Sequence, residues 1–346
     1  MNRRAFLSPS PMASLQAHLV SRYIRWRIKR PLIGHIDLLA ARRSLERPYI
    51  GPIPHDVRIT PGHGPVPGEW VEPRRSTPDA PVLLYLHGGG FFACSPATHR
   101  AITTGFARCG GPRVFAVDYR RAPEWRFPAA LEDAAACCDW VLRETGRPVA
   151  AIAGDSAGGT LALSLLLHLR DTGRPLPACA ALFSPVTDLA ATGASIIEND
   201  RRDAMFFGAS VARLREVYLP EGVSPRDPLA SPLYADPAGL PPLLFHVGSD
   251  EVLRDDSTRF AAKARAAGVE VTLRLWPVVP HAWQLMGPWV PEGAESVRQA
   301  RAFVLRYALS ACAPSACAPS AGDPTVPASL SSRDTIRDAG SGRPMM

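Results

Sequence analysis

No stretch of this chain reaches the roughly 18 uninterrupted apolar residues that a membrane-spanning helix needs. Its seven cysteines are an odd number, with no C-x-x-C pair and no histidine-bearing ligand pattern. That argues against a disulfide framework and against a metal site. Cys94, Cys109, Cys137, Cys138 and Cys179 lie in apolar or helical surroundings and read as reduced, buried small residues of a cytoplasmic protein. A G-x-G-x-x-G fingerprint and a Walker-type lysine are both missing, so nothing points to a flavin, nicotinamide or nucleotide cofactor. Basic residues outside the N-terminal fifty are balanced by acidic ones. The formal charge of +7 therefore belongs to an arm and implies no nucleic-acid-binding face on the remainder.

What is present is an alternation of short apolar runs with helical segments from about residue 80 to 309. Such alternation predicts an α/β fold with a mainly parallel central sheet and helices on both faces. With 346 residues, 46% of them hydrophobic, the chain suits one large domain with an appended cap. Three segments are expected: an N-terminal cap or arm over 1–75, a catalytic domain over 76–309, and a disordered tail over 310–346. The tail opens with Ala311-Cys312-Ala313-Pro314-Ser315, repeats it as Ala316-Cys317-Ala318-Pro319-Ser320, and stays low in apolar residues.

Gly154-Asp155-Ser156-Ala157-Gly158-Gly159 holds a G-x-S-x-G pattern. The apolar run Val149–Ala153 leads into it and the helix-favouring Leu161–Leu167 leads out. A serine on such a sharp strand-to-helix turn needs small neighbours, and the turn lifts its hydroxyl clear of the sheet. A second glycine run, His87-Gly88-Gly89-Gly90, follows the apolar strand Val82–Leu86. Serine-based acyl transfer builds negative charge on the carbonyl oxygen, and backbone amides are its usual donors. Gly89, Gly90 and Ala157 are the candidate donors, with His87 and Gly88 completing the loop motif.

A serine hydroxyl needs a histidine base, itself oriented by a carboxylate, and in this architecture the chain order is Ser, Asp or Glu, His. Asp250 lies two residues past the glycine end of the buried run Leu243–Gly248. His281 follows the strand Glu270–Trp276 in a Pro280-His281-Ala282-Trp283 loop. Both sit beyond the carboxyl ends of strands, the edge that carries Ser156 and where ligands bind in open α/β sheets. Glu251 is expected to point away, and Asp255 and Asp256 to form a solvated helix start. His246 reads as a core residue, and His87 as a loop fastener.

These residues resemble the hormone-sensitive-lipase-like family of α/β-hydrolases. The resemblance rests on His87-Gly88-Gly89-Gly90-Phe91, Tyr119-Arg120-Arg121-Ala122-Pro123-Glu124 (similar to Y-R-L-A-P-E), Phe127–Asp133, the G-D-S-A-G-G elbow, Ser184–Leu189 and Asp250–Asp255. It covers residues from about 80 to about 305 and implies a bacterial carboxylesterase with the triad Ser156, Asp250 and His281. Three departures stand out. The usual D-P-L is Asp250-Glu251-Val252-Leu253, H-G-F is His281-Ala282-Trp283, and Arg121 replaces an apolar residue.

The expected activity is therefore hydrolysis of short- or medium-chain carboxylic esters, a small-molecule substrate class, without cofactor or metal. Phe91, Phe92 and Trp283 are candidate pocket walls, joined by Phe206, Phe207 and Met286. A lactone or N-acetyl hydrolase with the same triad is the alternative enzyme, and a receptor on the same fold the non-catalytic one. In the first fifty residues ten basic side chains face two acidic ones. Leu15, Leu19, Val20, Tyr23 and Ile24 recur there at helical spacing. The resemblance implies a helix capping the active site, and contact with a membrane surface is the other reading of a basic amphipathic helix. Asn2-Arg3-Arg4-Ala5-Phe6-Leu7 looks like the start of a twin-arginine signal but lacks the apolar core that should follow. A homodimer is compatible with everything above.

Overall fold

The computed structural model describes residues 13–29, 38–78, 80–287 and 289–312. The twin-arginine-like start and the chain beyond 312, including most of the Pro/Ser-rich repeat, lie outside the described residues. Strands β1 (Val57–His63), β2 (Pro67–Pro73), β3 (Val82–Leu86), β4 (Arg113–Val117), β5 (Ala151–Asp155), β6 (Cys179–Phe183), β7 (Leu243–Gly248) and β8 (Val271–Trp276) form one sheet. Their spatial order is β1-β2-β4-β3-β5-β6-β7-β8. Pairing is parallel from β4 across to β8 and antiparallel where β2 meets β1 and β4. Residues 57–73, placed by sequence in the N-terminal arm, thus supply two strands of the sheet itself.

Helices α1 (Leu15–Ile24), α2 (Leu38–Leu45), α3 (Arg100–Ala107), α4 (Ala129–Thr145), α5 (Ala157–Asp171), α6 (Ser195–Glu198), α7 (Ala209–Tyr218), α8 (Arg254–Ala266) and α9 (Pro291–Cys312) complete the fold. Strands β3, β5, β6 and β7 are buried along their whole length. They read as continuous apolar runs because helices cover both faces. On one face Ile102 and Phe106 of α3 and Val297 and Val304 of α9 pack on Leu83, Tyr85 and Phe183. On the other, Leu131 of α4, Leu161 and Leu165 of α5 and Phe260 of α8 pack on Leu84, Leu86, Ile152 and Phe245. Among the described residues no helix is long and apolar enough to cross a membrane.

The described parts of the arm are tied to loops at the carboxyl edge of the sheet. Ser14 caps α1 by accepting from the Ala17 amide at 3.1 Å, and its own N–H and Oγ donate to Glu292 at 2.6 and 2.9 Å. Ser21 Oγ donates to the Val278 carbonyl at 2.6 Å. The chain then widens into a π-helical turn, Arg25–Lys29. Buried Lys29 donates from Nζ to the carbonyls of Asp200 and Asp203. From α2, Arg42 donates to the Phe92 carbonyl at 2.6 Å and pairs with Glu124 at 2.7 Å.

One position limits how closely β3 and α5 approach. A Cβ at Gly158 would run into the carbonyl oxygens of Leu86 and His87, and backbone of a central strand has no room to yield. Gly158→Ala should therefore cost about 1–3 kcal/mol of stability, the usual range for overpacking. Urea unfolding of the purified variant reads that loss, and an unchanged midpoint would contradict the packing.

Candidate active site

Between β5 and α5 a single residue makes the turn. Ser156 has φ 53° and ψ −124°, a strained conformation for a residue with a Cβ. Its amide donates to the Phe183 carbonyl of β6 at 2.7 Å, which fixes the turn to the neighbouring strand. Ser156 is buried yet stands directly at the N-terminus of α5, whose dipole favours negative charge there.

Behind the elbow, Asp155 organises the glycine loop. Its Oδ1 accepts from Tyr85 Oη at 2.6 Å and from the Gly88 amide at 3.0 Å, and Oδ2 lies 3.2 Å from His99 Nε2. Burial raises the Asp155 carboxyl, but the His99 imidazole and the hydrogen bonds outweigh it and hold the group below its ordinary value. With the Gly88 amide committed to Asp155, the loop amides left for a ligand oxygen are those of Gly89 and Gly90. Gly89 has φ 111°, and a Cβ there would collide with the Ala93 carbonyl. His87 stacks on Tyr119 with ring centroids 4.3 Å apart, donates from Nδ1 to the Gly88 carbonyl at 2.7 Å, and accepts the Tyr119 hydroxyl on its own carbonyl. Burial drops its pKa to about 3, so it is neutral and serves the loop.

His281 donates from Nδ1 to Glu251 Oε2 at 2.6 Å. Its Nε2 is buried and has no hydrogen-bond partner among the described residues. With Nδ1 donating, Nε2 carries the lone pair. Phe206 meets the ring edge-on at 4.9 Å. Burial pulls the His281 pKa down. The Glu251 carboxylate and its hydrogen bond, with Asp203 and Asp155, more than reverse that and leave it raised.

The carboxylate against His281 is thus not Asp250, as the sequence suggested. Asp250 turns outward, and its Oδ1 accepts from Arg202 at 2.5 Å on a largely exposed guanidinium. Glu251, expected to point away, is buried. Its Oε1 accepts from the Gly248 amide at 2.6 Å and Ser184 Oγ at 2.7 Å. Those donors come from the ends of β7 and β6, so the tertiary structure chooses between two adjacent acids. A signal did exist: aligning the leucine of the family's D-P-L with Leu253 puts Glu251, not Asp250, at the acid's place.

Other expectations divide. His246 is a core residue as read, its Nδ1 2.8 Å from Ser296 Oγ. Phe91 does not line a pocket: it is buried and stacked on Tyr218 at 3.6 Å. Trp283 is likewise core, packed on Trp276 and donating from Nε1 to the Glu292 carbonyl at 3.3 Å. Phe92 remains at the glycine loop, since a Cβ on Gly90 would lie 2.9 Å from its ring and 3.3 Å from Leu214 of α7. Asp256 is not solvated. Its Oδ2 accepts from the Asp188 amide at 2.8 Å, and burial pushes its pKa up to about 8. Cys94, Cys137, Cys138 and Cys179 are buried and free, whereas Cys109 is exposed. Sequence reasoning missed Glu251, and also Asp203, whose carboxylate accepts from the Met205, Phe206 and Val252 amides and so holds the loops on either side of His281.

A serine elbow at the head of a helix, a glycine loop beside it and a histidine–carboxylate pair on the next strand ends belong to the α/β-hydrolase class. Residues 83–285 match the family model described as the alpha/beta hydrolase fold. An acetyl-hydrolase of Streptomyces hygroscopicus is 45% identical over 257 residues, 74% of this chain and 84% of the relative. An esterase of Acinetobacter venetianus is 36% identical over 246 residues, covering 71% and 79%. Among solved structures, an esterase described as from the bacterial hormone-sensitive lipase family superposes with a TM-score of 0.78 at 37% identity. It covers 86% of this chain and 100% of that one. The esterase EstE5, soaked with p-nitrophenyl butyrate, gives a TM-score of 0.80 at 34% identity over the same shares. The chain belongs to the hormone-sensitive-lipase-like family of α/β-hydrolases. It is a carboxylic ester hydrolase.

Two outcomes follow for the acid. Glu251→Gln should cost about 10⁴ in kcat, the scale for replacing a triad carboxylate by its amide. Asp250→Asn should cost about fivefold at most, the range of exposed ion pairs. The pH profile carries the same logic. The imidazole must be neutral to accept a proton, so kcat/KM should fall as pH drops through a value above histidine's ordinary ~6.5. Removing the Glu251 charge lowers that pKa and should move the residual activity's acid limb downward. Steady-state kinetics of the three proteins across pH 5–9 check both, and a large loss at Asp250 with none at Glu251 would falsify the pairing.

Proposed function

We propose that this esterase hydrolyses short- and medium-chain acyl esters through an acyl-enzyme, with Ser156 as nucleophile, His281 as general base and Glu251 as the orienting acid. The observation that carries the reading is the 2.6 Å contact of His281 Nδ1 with a buried Glu251, in a chain that also holds a strained serine at a helix N-terminus. Ser156 Oγ attacks the ester carbonyl and its proton passes to His281 Nε2. Glu251 keeps the imidazole in the tautomer that frees Nε2, and stabilises the charged ring that forms. The amides of Gly89, Gly90 and Ala157 receive the oxyanion. His281 then protonates the departing alcohol, and water repeats the sequence on the acyl-enzyme.

The preference for short chains is supported by what stands around the oxyanion loop. Phe92 and Leu214 crowd Gly90, and Phe206 lies against His281. Arg42 ties the Phe92 backbone to the arm, and Lys29 lies over the Phe207 ring at 4.5 Å. Apolar side chains crowding the oxyanion loop in this way favour small acyl groups. Acetyl esters are the first class to test, since the Streptomyces relative is called an acetyl-hydrolase.

Ser156→Ala should abolish hydrolysis of p-nitrophenyl acetate and butyrate while the far-UV spectrum stays unchanged. A phosphonate should label the wild-type serine stoichiometrically and leave the variant unlabelled. Turnover by Ser156→Ala at more than about 10⁻³ of wild type would exceed what an oxyanion site alone sustains and would remove Ser156 from its role.

A further inference from the structure

Helix α1 and the π-helical turn after it use only one side to dock. Ala17, Ser21, Ile24 and Lys29 are buried. On the outer side Leu15 is 71% exposed, and Leu19, Tyr23 and Trp26 are each 58% exposed. These four recur at i, i+4, i+8 and i+11, so they form one stripe along the helix. The rings of Tyr23 and Trp26 approach to 6.4 Å and form a single aromatic surface. Water thus meets an apolar stripe on a segment whose inner face is already satisfied. A contiguous stripe of this kind marks a contact surface rather than scattered surface leucines.

Charge decides what it contacts. Arg22 stands within the stripe, and Arg25 and Arg27 flank Trp26, all three exposed. Arg27 lies over the Trp26 ring at 5.8 Å, and Arg25 donates to the Arg202 carbonyl. The first 36 residues contain seven basic side chains and no Asp or Glu. A protein partner or a second copy of this chain would have to bring uncompensated acids to so one-sided a surface. An anionic lipid surface meets both requirements together, with tryptophan and tyrosine at headgroup level, leucines below and arginines on the phosphates.

We propose that the outer face of α1 and the turn Arg25–Lys29 docks this enzyme on anionic phospholipid surfaces. The same segment holds the Val278 carbonyl, three residues before His281, and the loop from Asp200 to Asp203. Docking therefore brings the lipid surface to the arm that borders the site, and substrate esters dissolved in the lipid phase reach it without crossing water. The cap and the membrane contact, alternatives in the sequence, are two sides of one helix. The docking claim does not rest on the roles given to Ser156, His281 and Glu251, and binding can be read without turnover.

The test is sedimentation of the full chain with large unilamellar vesicles of phosphatidylcholine alone and with 30% phosphatidylglycerol. Wild type should partition at least tenfold more strongly onto the anionic vesicles, and lose most of that advantage in half-molar salt. Leu19→Glu/Trp26→Glu should reduce partitioning at least tenfold. Arg22→Ala/Arg27→Ala should reduce it by roughly fivefold per arginine. Both variants replace exposed side chains and should keep wild-type turnover of p-nitrophenyl acetate, which also reports that they fold. Equal binding to the two vesicle types, or variants that bind like wild type, would overturn the proposal. So would light scattering showing a dimer that either variant dissociates while wild type ignores vesicles, because a second copy would then own the face. Loss of ester turnover in Ser156→Ala with intact vesicle binding would separate the fate of the catalytic reading from this one.

Discussion

The arrangement around Glu251 is the constraint on which the rest of the site depends. One carboxylate oxygen is held by the Gly248 amide and Ser184 Oγ, and the other is left for His281. Those two donors come from the ends of neighbouring parallel strands, so the acid is aimed by the sheet rather than by its own loop. A buried carboxylate is tolerable only with such donors, since an unpaired charge there would be costly. Asp203, itself buried, clamps the Val252 amide just after Glu251 and the Phe206 amide against the other side of His281. Burial and the Glu251 charge push the Asp203 carboxyl upward. The Glu251 carboxylate against Nδ1, with the charges of Asp203 and Asp155, holds the His281 imidazole above its ordinary pKa.

A second set of buried polar groups fixes the opposite wall. Asp155 ties Tyr85 of β3, the Gly88 amide and His99 together directly beneath the elbow. Because Asp155 and Ser156 are consecutive, the residue that positions the glycine loop is bonded covalently to the elbow serine. Displacement of either shifts both, and catalytic geometry tolerates little displacement. Arg121, a departure from the family pattern, has a place in this wall: it donates to the Cys94 carbonyl and to Asp118, both at 2.6 Å, at the back of the loop. Arg42 reaches in from the N-terminal arm to the Phe92 and Ala122 carbonyls. The arm is therefore part of the scaffold of the glycine loop.

Much of the fold was legible. The runs Val82–Leu86 and Leu243–Gly248 are strands with the expected ends, and Ala157–Asp171 is the helix expected after the elbow. Sheet-forming runs buried on both faces carry a strong signal, because every position must be apolar. Strands β1 and β2 were not legible: Gly62, Gly68 and three prolines interrupt them, and they lie at the sheet edge, where alternation is weak. Pocket walls were read least well. Phe91 and Trp283 flank site residues in the chain, yet both point into the core, and nearness in sequence says nothing about which face a side chain takes in an irregular loop.

Glycine spacing and the strand–turn–helix context determined, by sequence alone, the serine turn between β5 and α5, the glycine loop after β3 and the choice of His281 over the core His246 as the candidate base. Those inferences rest on local chemistry, since a strained elbow and a glycine loop need particular residues at particular steps. Between Asp250 and Glu251 no local rule discriminates, because both are carboxylates on the same irregular loop. Only the folded chain decides, by bringing Ser184 Oγ and the Gly248 amide to one of them and an exposed arginine to the other. The outward stripe on α1 was decided in the same way. Periodicity marks the apolar residues of that helix, but which of them meet protein and which meet solvent depends on where Val278, Glu292 and the Asp200–Asp203 carbonyls sit in space.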